Sequence, residues 1–285
     1  MTADDDPGFA PAKINLTLHL AGRRADGYHL LTSLVVFAGV GDSVRFAPAD
    51  TLTLAIDGPF GGGLDSKDNL ILRAATALAT HHARPPGADF TLTKELPVAS
   101  GIGGGSSDAA AALRLLADAW DVDIPDDLAV RLGADVPVCL RAPAPQLMSG
   151  IGEILTPVPT VPDCWLVLVN PGVGVATGPV FARVRDRNPP PGPPLTDRDL
   201  TDFDSFVSWL TAQRNDLQAP AQEICPEISQ VLAALSPAPV ARMSGSGATC
   251  FGLMPDRQSA TQLADTIRQT TGWWVAAAPV LGSKV

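Results

Sequence analysis

A chain of 285 residues with 20 Lys+Arg against 30 Asp+Glu carries a net charge of −10; 46% of its residues are hydrophobic and 18% charged. That length suits two domains with substantial cores. So acidic a protein is a poor general binder of nucleic acid or anionic membrane, although anionic small molecules respond to local fields rather than to net charge. No apolar stretch approaches the ~18–20 uncharged residues that span a bilayer. The acidic start from Met1 to Gly8 lacks the basic and apolar regions of a secretory signal, so a cytoplasmic protein is expected. Cys139, Cys164, Cys225 and Cys250 form no C-x-x-C pair and read as reduced thiols. His19, His29, His81 and His82 offer no zinc-ligand spacing, and no structural or catalytic transition metal is expected.

In chain order, residues 14–20 alternate apolar and polar, the period of a half-buried strand. Apolar runs at 34–37, 43–46, 52–56 and 90–93 read as further strands. Their closeness and short turns predict an antiparallel or mixed sheet rather than strict βαβ alternation. Leu70, Ile71, Ala74, Ala75 and Leu78 mark one face of a helix over 69–80, and a second helix begins after Ser106 and Ser107 and runs over 109–120. A shorter helix follows Pro125 and stops at Gly133. Pro157, Pro159 and Pro162 predict a linker, dividing the chain into domains 1–157 and 158–285. Beyond it, 164–169 reads as a buried strand, the proline-rich 188–194 as a stiff surface loop, and 202–213 and 221–235 as helices. A strand at 249–253, a helix at 257–269 and a strand from Trp273 complete an α+β layer domain.

The most informative stretch is Pro97, Val98, Ala99, Ser100, Gly101, Ile102, Gly103, Gly104, Gly105, Ser106 and Ser107, followed at once by the alanine-rich helix. Glycines let backbone N–H groups converge on an anion without interference from Cβ atoms, and a helix N-terminus adds unpaired donors and the positive end of its dipole. This is how a phosphate chain is cradled. A dinucleotide fingerprint starting at Gly101 would need glycine where Ser106 stands, and a Walker A loop needs a lysine that the stretch lacks. The bland alternative is a flexible hinge with no ligand.

This loop resembles the ATP loop of the galactokinase–homoserine kinase–mevalonate kinase–phosphomevalonate kinase (GHMP) superfamily. Ala10-Pro-Ala-Lys-Ile-Asn-Leu16, Arg24-Ala-Asp-Gly-Tyr-His29 and Leu132-Gly-Ala-Asp-Val-Pro137 narrow the resemblance to one branch. That branch comprises the kinases of 4-diphosphocytidyl-2-C-methyl-D-erythritol, which act on the 2-hydroxyl in the non-mevalonate isoprenoid route. Gly150-Ile-Gly-Glu-Ile-Leu-Thr-Pro157 and Ser244-Gly-Ser-Gly-Ala-Thr249 match as well, so that the likeness spans about residues 10–254. The resemblance implies an α+β two-domain GHMP kinase fold. Its N-terminal domain is ribosomal-protein-S5-like, its C-terminal domain ferredoxin-like, and the active site lies in the cleft between them. It implies ATP as co-substrate with Mg²⁺, a cytidine-diphosphate-linked methylerythritol as acceptor, neither nucleic-acid nor membrane partners, and a monomer or weak homodimer.

Residue by residue, Asp135 matches the catalytic base that takes the acceptor hydroxyl proton, with a turn or N-cap role as its bland reading. Lys13 matches the lysine beside that base; without the resemblance, a strand-edge lysine is usually a solvated side chain. Asn15, two residues on, shares the Lys13 face of a strand and matches a substrate contact. Tyr28, the only tyrosine, pairs with Phe181 to match the aromatic sandwich around the cytosine ring, and His29 matches a partner of the pyrimidine edge. Thr177, in the loop that follows Asn170-Pro-Gly172, matches a substrate-side residue, although Phe181 alone also suits a core. Ser244 and Gly245 match the second glycine loop, closing over substrate or phosphate, whereas Gly150–Glu153 reads as a turn. Asp108 favours the helix dipole but repels phosphate unless it faces away or touches Mg²⁺, and the sequence leaves both open. Two other functions stand beside this one. A sister kinase of a small alcohol such as homoserine or mevalonate would have no use for Tyr28 and His29, and a non-catalytic nucleotide-binding module would have none for Lys13 and Asp135.

Overall fold

A computed structural model of the chain describes residues 6–25, 27–186 and 189–283. In order, its elements are β1 (Phe9–Asn15), β2 (His19–Arg23), β3 (His29–Pro48), β4 (Leu52–Asp57), α1 (Leu70–His81), β5 (Ala88–Thr93), α2 (Gly104–Trp120), α3 (Asp126–Leu132) and α4 (Val136–Cys139). Then come β6 (Gln146–Gly150), β7 (Ile154–Pro157), β8 (Trp165–Asn170), α5 (Thr177–Ala182), a 3₁₀ turn (Asp197–Leu200) and α6 (Phe203–Thr211). The chain ends with α7 (Gln218–Ile224), α8 (Glu227–Ala234), β9 (Val240–Met243), β10 (Cys250–Met254), α9 (Arg257–Thr270) and β11 (Trp274–Pro279). Two compact units emerge, each drawn from three pieces of chain: residues 1–12, 40–98 and 103–142 form one, and 13–39, 99–102 and 143–285 the other.

In the first unit the second half of β3 pairs antiparallel with β5, and β4 lies parallel to β5 after the crossover through α1. The sheet is therefore mixed, as the spacing of its strands predicts. Asn69 caps α1, its side-chain oxygen accepting the Ile71 N–H at 2.9 Å. Ile71, Ala74, Ala75 and Leu78 are the buried face of that helix and pack with Phe90, Leu92, Ala112, Leu113 and Leu116. Ala109 to Ala112 of α2 are buried and small, which lets α1 and α2 lie close.

In the second unit the first half of β3 pairs with β2 on one side and β6 on the other, and β6 turns into β7. A separate antiparallel sheet runs in the order β11-β8-β10-β9. β8 is its apolar inner strand, paired on both edges, which is why Leu166 to Val169 form an unbroken hydrophobic run.

Four boundaries differ from the sequence reading, each for a local reason. Residues 14–20 are two strands, not one. Asn15, Thr17 and His19, the polar half of the alternation, are buried, and Thr17 leaves the ladder to accept the Leu34 N–H at 2.9 Å on its hydroxyl. Runs 34–37 and 43–46 belong to the single 20-residue β3. Its glycines mark close packing rather than a turn, since a Cβ on Gly41 would stand 2.4 Å from the Ala10 carbonyl oxygen. Helix 221–235 is two, α7 and α8, because Pro226 forbids a helical predecessor and Cys225 takes φ −130°. Helix α2 starts at Gly104, so Gly104 to Ser107 form its first turn rather than preceding it. The proline-rich loop is irregular from Pro189 to Pro194, with the Trp209 indole N–H donating to the Pro193 and Pro194 carbonyls at 3.2 and 3.1 Å. Asn188 lies outside the described residues.

Candidate active site

The glycine-rich loop shows what its sequence is for. Ala99, Gly101 and Gly103 take positive φ values of 51°, 77° and 66°, while Ser100 and Ile102 between them do not. Alternating handedness is the kind of backbone that can turn successive N–H groups toward one concave side and receive an anion. Gly103 is also the N-cap of α2, and no side chain caps that helix. The first-turn N–H groups are thus left to other acceptors. Pro97 and Ser100 are buried, whereas Val98, Ala99 and Gly105 are exposed. Ser106 is half-buried, and Ser107 faces inward, its hydroxyl donating to the Pro11 carbonyl at 2.7 Å.

The second glycine loop packs directly on residues 99–102. Ser244 Oγ donates to the Gly101 carbonyl at 3.1 Å and accepts the Asn15 N–H at 3.1 Å. Thr249 N–H donates to the Ser100 carbonyl at 3.0 Å. A Cβ on Gly101 would lie 2.6–2.7 Å from the Ser244 oxygen and the Gly247 backbone, so the approach itself demands glycine there. Thr177, the first residue of α5, shares a hydrogen bond with Ser246 at 2.9 Å, hydroxyl to hydroxyl. Gly245 and Gly247 take φ values of 54° and 88°, completing the turn.

Lys13 is 3% exposed, far from the solvated strand-edge lysine of the bland reading. Its N–H donates to the Ile102 carbonyl at 2.9 Å, tying β1 to the glycine loop, and its Nζ donates to Asn15 Oδ1 at 2.9 Å. Strand periodicity places both side chains on one face, and the structure has them touch. Lys13, Asn15, Gly101, Thr177, Ser244 and Gly245 therefore form one hydrogen-bonded neighbourhood of the second unit. Asp135 belongs to the first unit. It stands half-buried at the N-cap position of α4 but makes no side-chain cap bond to that helix, so capping does not account for the carboxylate.

Asp108 is 3% exposed. It is buried against Lys94, whose Nζ lies 2.9 Å from Asp108 Oδ2 and also grips Asp42. The other Asp42 oxygen accepts the N–H groups of Glu95 and Leu96 at 2.6 and 2.8 Å. Burial, reinforced by the Asp42 charge, pushes the Asp108 carboxyl up to about 8. Burial alone would lower Lys94, but the two carboxylates outweigh it and its pKa rises.

The aromatic residues lie at the β2–β3 hairpin and on α5. Tyr28 is 61% exposed, its carbonyl accepting the Arg24 N–H at 2.8 Å across the hairpin turn. Phe181 stacks on His29 with ring centroids 5.0 Å apart and planes 30° from parallel. Phe181 thus stacks on His29, while Tyr28 is the more exposed of the three. Gly150–Glu153 is the β6–β7 turn, with the Ile151 N–H on the Glu153 carboxylate at 2.6 Å.

Comparison with known proteins bears on this arrangement. The GHMP kinases N terminal domain profile matches residues 69–142, and the GHMP kinases C terminal profile matches 195–271. A 4-diphosphocytidyl-2-C-methyl-D-erythritol kinase of Cereibacter sphaeroides is 54% identical over 284 residues, covering 96% of this chain and 99% of its own. Its counterpart from Paramagnetospirillum magneticum is 48% identical, covering 95% and 97%. A crystal structure of 4-(cytidine 5'-diphospho)-2C-methyl-D-erythritol kinase superposes with a TM-score of 0.80 at 32% identity, over 97% of this chain and 99% of that one. The chain belongs to the 4-diphosphocytidyl-2-C-methyl-D-erythritol kinase family.

Its fold is the α+β GHMP kinase fold, shared in outline with a homoserine kinase from Cytophaga hutchinsonii at a TM-score of 0.67 and 14% identity, over 96% of this chain and 94% of that one. Several residues that build this family member's loops carry no motif. Asn215 donates to the Met243 and Gly245 carbonyls at 2.8 and 2.9 Å, holding the second glycine loop from beneath. Arg242 is buried with its guanidinium on the carbonyls of Leu16, Leu210 and Gln213, and desolvation lowers its pKa to about 10. Only a count of buried backbone acceptors finds such residues, and a single sequence does not contain one.

Proposed function

We propose that this protein is an ATP-dependent kinase that phosphorylates the 2-hydroxyl of 4-diphosphocytidyl-2-C-methyl-D-erythritol in the non-mevalonate isoprenoid route. The observation that carries the reading is the run of alternating φ signs through Ala99, Gly101 and Gly103 ahead of an uncapped helix, a backbone shaped for phosphate oxygens. The acceptor is taken from the relatives, which share about half of the sequence along nearly their whole length.

In this reading the loop from Pro97 to Ser106 receives the ATP phosphates on the N–H groups of residues 98–106, and Ser107 anchors the loop to β1. Asp135 takes the proton of the acceptor hydroxyl as it attacks, and Lys13 supplies positive charge for the transfer. Asn15, Thr177, Ser244 and Gly245 shape the acceptor's reacting end, while Tyr28, His29 and Phe181 hold the cytosine. Mg²⁺ bound with the nucleotide would neutralise phosphate charge. Among the described residues no group of three or more His, Cys, Asp or Glu could hold a metal, and Mg²⁺ needs none, since it keeps several waters alongside phosphate oxygens. The four cysteines are buried and outside any disulfide, and among the described residues no helix is long and apolar enough to cross a membrane. A cytoplasmic monomer or weak homodimer belongs to the same reading, taken from the resemblance.

The test is acceptor-dependent ADP release with Mg-ATP, comparing the cytidylated methylerythritol with homoserine and mevalonate. Turnover is expected with the cytidylated alcohol alone. Asp135→Asn is expected to lower kcat at least about 10²-fold without unfolding the protein. Turnover with homoserine or mevalonate instead, or an active Asp135→Asn, refutes the corresponding part.

A further inference from the structure

Lys13 is held by Asn15, and something must hold Asn15. A carboxamide has two ends of nearly equal shape but opposite hydrogen-bonding sense, so its useful orientation has to be fixed by its surroundings. Asn15 is 1% exposed, and its Nδ2 lies 2.7 Å from Ser33 Oγ while its Oδ1 faces Lys13 Nζ at 2.9 Å. Ser33, in β3, has no exposure, and its hydroxyl also reaches the Thr17 carbonyl. That carbonyl can only accept. The single hydroxyl proton of Ser33 therefore goes to Thr17, and toward Asn15 the oxygen can only accept. This requires the amide nitrogen to point at Ser33 and the amide oxygen at Lys13. The chain of donors runs one way, from Lys13 to Asn15 to Ser33 to the backbone of Thr17.

We infer that Ser33 is a positioning residue for the phosphoryl-transfer step, fixing the Asn15 amide so that its oxygen holds the Lys13 ammonium. Thr17 is placed to serve this relay. Its own hydroxyl accepts the Leu34 N–H at 2.9 Å, locking the 16–18 break against β3 and keeping the Thr17 carbonyl over Ser33. That explains why the polar residues 15 and 17 and Ser33 are all buried where the strand pattern would have Asn15 and Thr17 half in solvent. With alanine at 33 the Asn15 NH₂ loses its acceptor in a site closed to water. The side chain must then turn to satisfy its nitrogen, taking Oδ1 from Lys13.

The inference rests on the proposed role of Lys13, and the experiment keeps the two apart. Steady-state kinetics on the full chain, with Mg-ATP and the cytidylated acceptor, are compared for wild type, Lys13→Ala, Ser33→Ala, Ser33→Thr, Asn15→Ala and the Asn15→Ala/Ser33→Ala double variant. Ser33→Ala is expected to lower kcat about tenfold with the KM for Mg-ATP unchanged within about twofold, because only the acceptor side is disturbed. Ser33→Thr keeps the hydroxyl and is expected to turn over several-fold faster than Ser33→Ala. A packing role predicts the reverse order, since alanine fits where the extra methyl of threonine crowds a filled strand. In the Asn15→Ala background, Ser33→Ala is expected to cost nothing further.

An active Lys13→Ala overturns the role of Lys13. With Lys13→Ala inactive, three results would each overturn the role of Ser33: an unchanged kcat in Ser33→Ala, a Ser33→Thr slower than Ser33→Ala, or losses that simply add in the double variant.

Discussion

The buried trio of Asp42, Lys94 and Asp108 allows a sharp prediction, because it places two carboxylates and one ammonium out of solvent. With all three ionised the cluster carries one uncompensated negative charge. Asp108 bears that cost, its pKa raised from 3.8 to about 8, and its Oδ1 has no hydrogen-bond partner among the described residues. A carboxyl whose pKa is higher folded than unfolded contributes stability that is fully present below the unfolded value and is lost as pH rises through the folded one. Between about pH 4 and pH 8 this one group should therefore lower folding stability steadily, by on the order of 1 kcal/mol per pH unit. Asp108→Asn deletes the titration and keeps the shape. Urea unfolding of wild type and variant should thus diverge steadily as pH rises, the variant becoming the more stable toward pH 8. Lys94→Met removes the only cation from the trio and is expected to destabilise by about 3–5 kcal/mol at neutral pH. Adding Asp108→Asn to it should recover part of the loss, since the Asp42 carboxylate keeps the Glu95 and Leu96 N–H groups. If wild type and Asp108→Asn follow parallel stability curves from about pH 4 to pH 9, the raised carboxyl is refuted.

Two further substitutions probe the loops. Gly101→Ala must accept a φ of +77° and a Cβ within 2.7 Å of backbone atoms of Ser244 and Gly247. A loss of about 2–5 kcal/mol in thermal or chemical unfolding, with weakened ATP binding by calorimetry, is expected. Gly105→Ala, four residues on, meets nothing within 4 Å and lies in the first turn of α2, so without nucleotide it should stabilise by about 0.5–1 kcal/mol. Equal melting temperatures for the two variants would refute the close-approach argument. Tyr28→Ala, at a residue 61% exposed, is expected to leave stability within about 0.5 kcal/mol of wild type. It should raise the KM for the cytidylated acceptor at least about fivefold, the value of a lost base stack. An unchanged KM would remove Tyr28 from the cytosine site.

The proposed site residues are legible in the chain because each sits in a local pattern. The glycine run announces a backbone that must turn both ways, and positive φ at Gly101 and Gly103 is what it delivers. The helix face at 71, 74, 75 and 78 and the apolar run in β8 are periodicities of 3.6 and of a strand buried on both sides, and both survive folding unchanged. Lys13 and Asn15 share a face by strand geometry alone. Pro226 already contains the break between α7 and α8, although an apolar helical period conceals it.

What tertiary structure alone decided depends on partners far away in sequence. No local rule distinguishes a glycine that turns from one that admits a neighbour, and Gly41 is glycine because the Ala10 carbonyl lies where its Cβ would be. The orientation of Asp108 followed from Lys94, 14 residues earlier, and Asp42, 52 residues before that lysine. Asn215, Arg242 and Ser33 carry no signature, since their task is to satisfy backbone or amide groups exposed by someone else's loop. Sequence determines which atoms can do chemistry through short-range patterning. Which of them are held still is decided by buried polar groups that must each find a partner, and those partners exist only once the chain has folded.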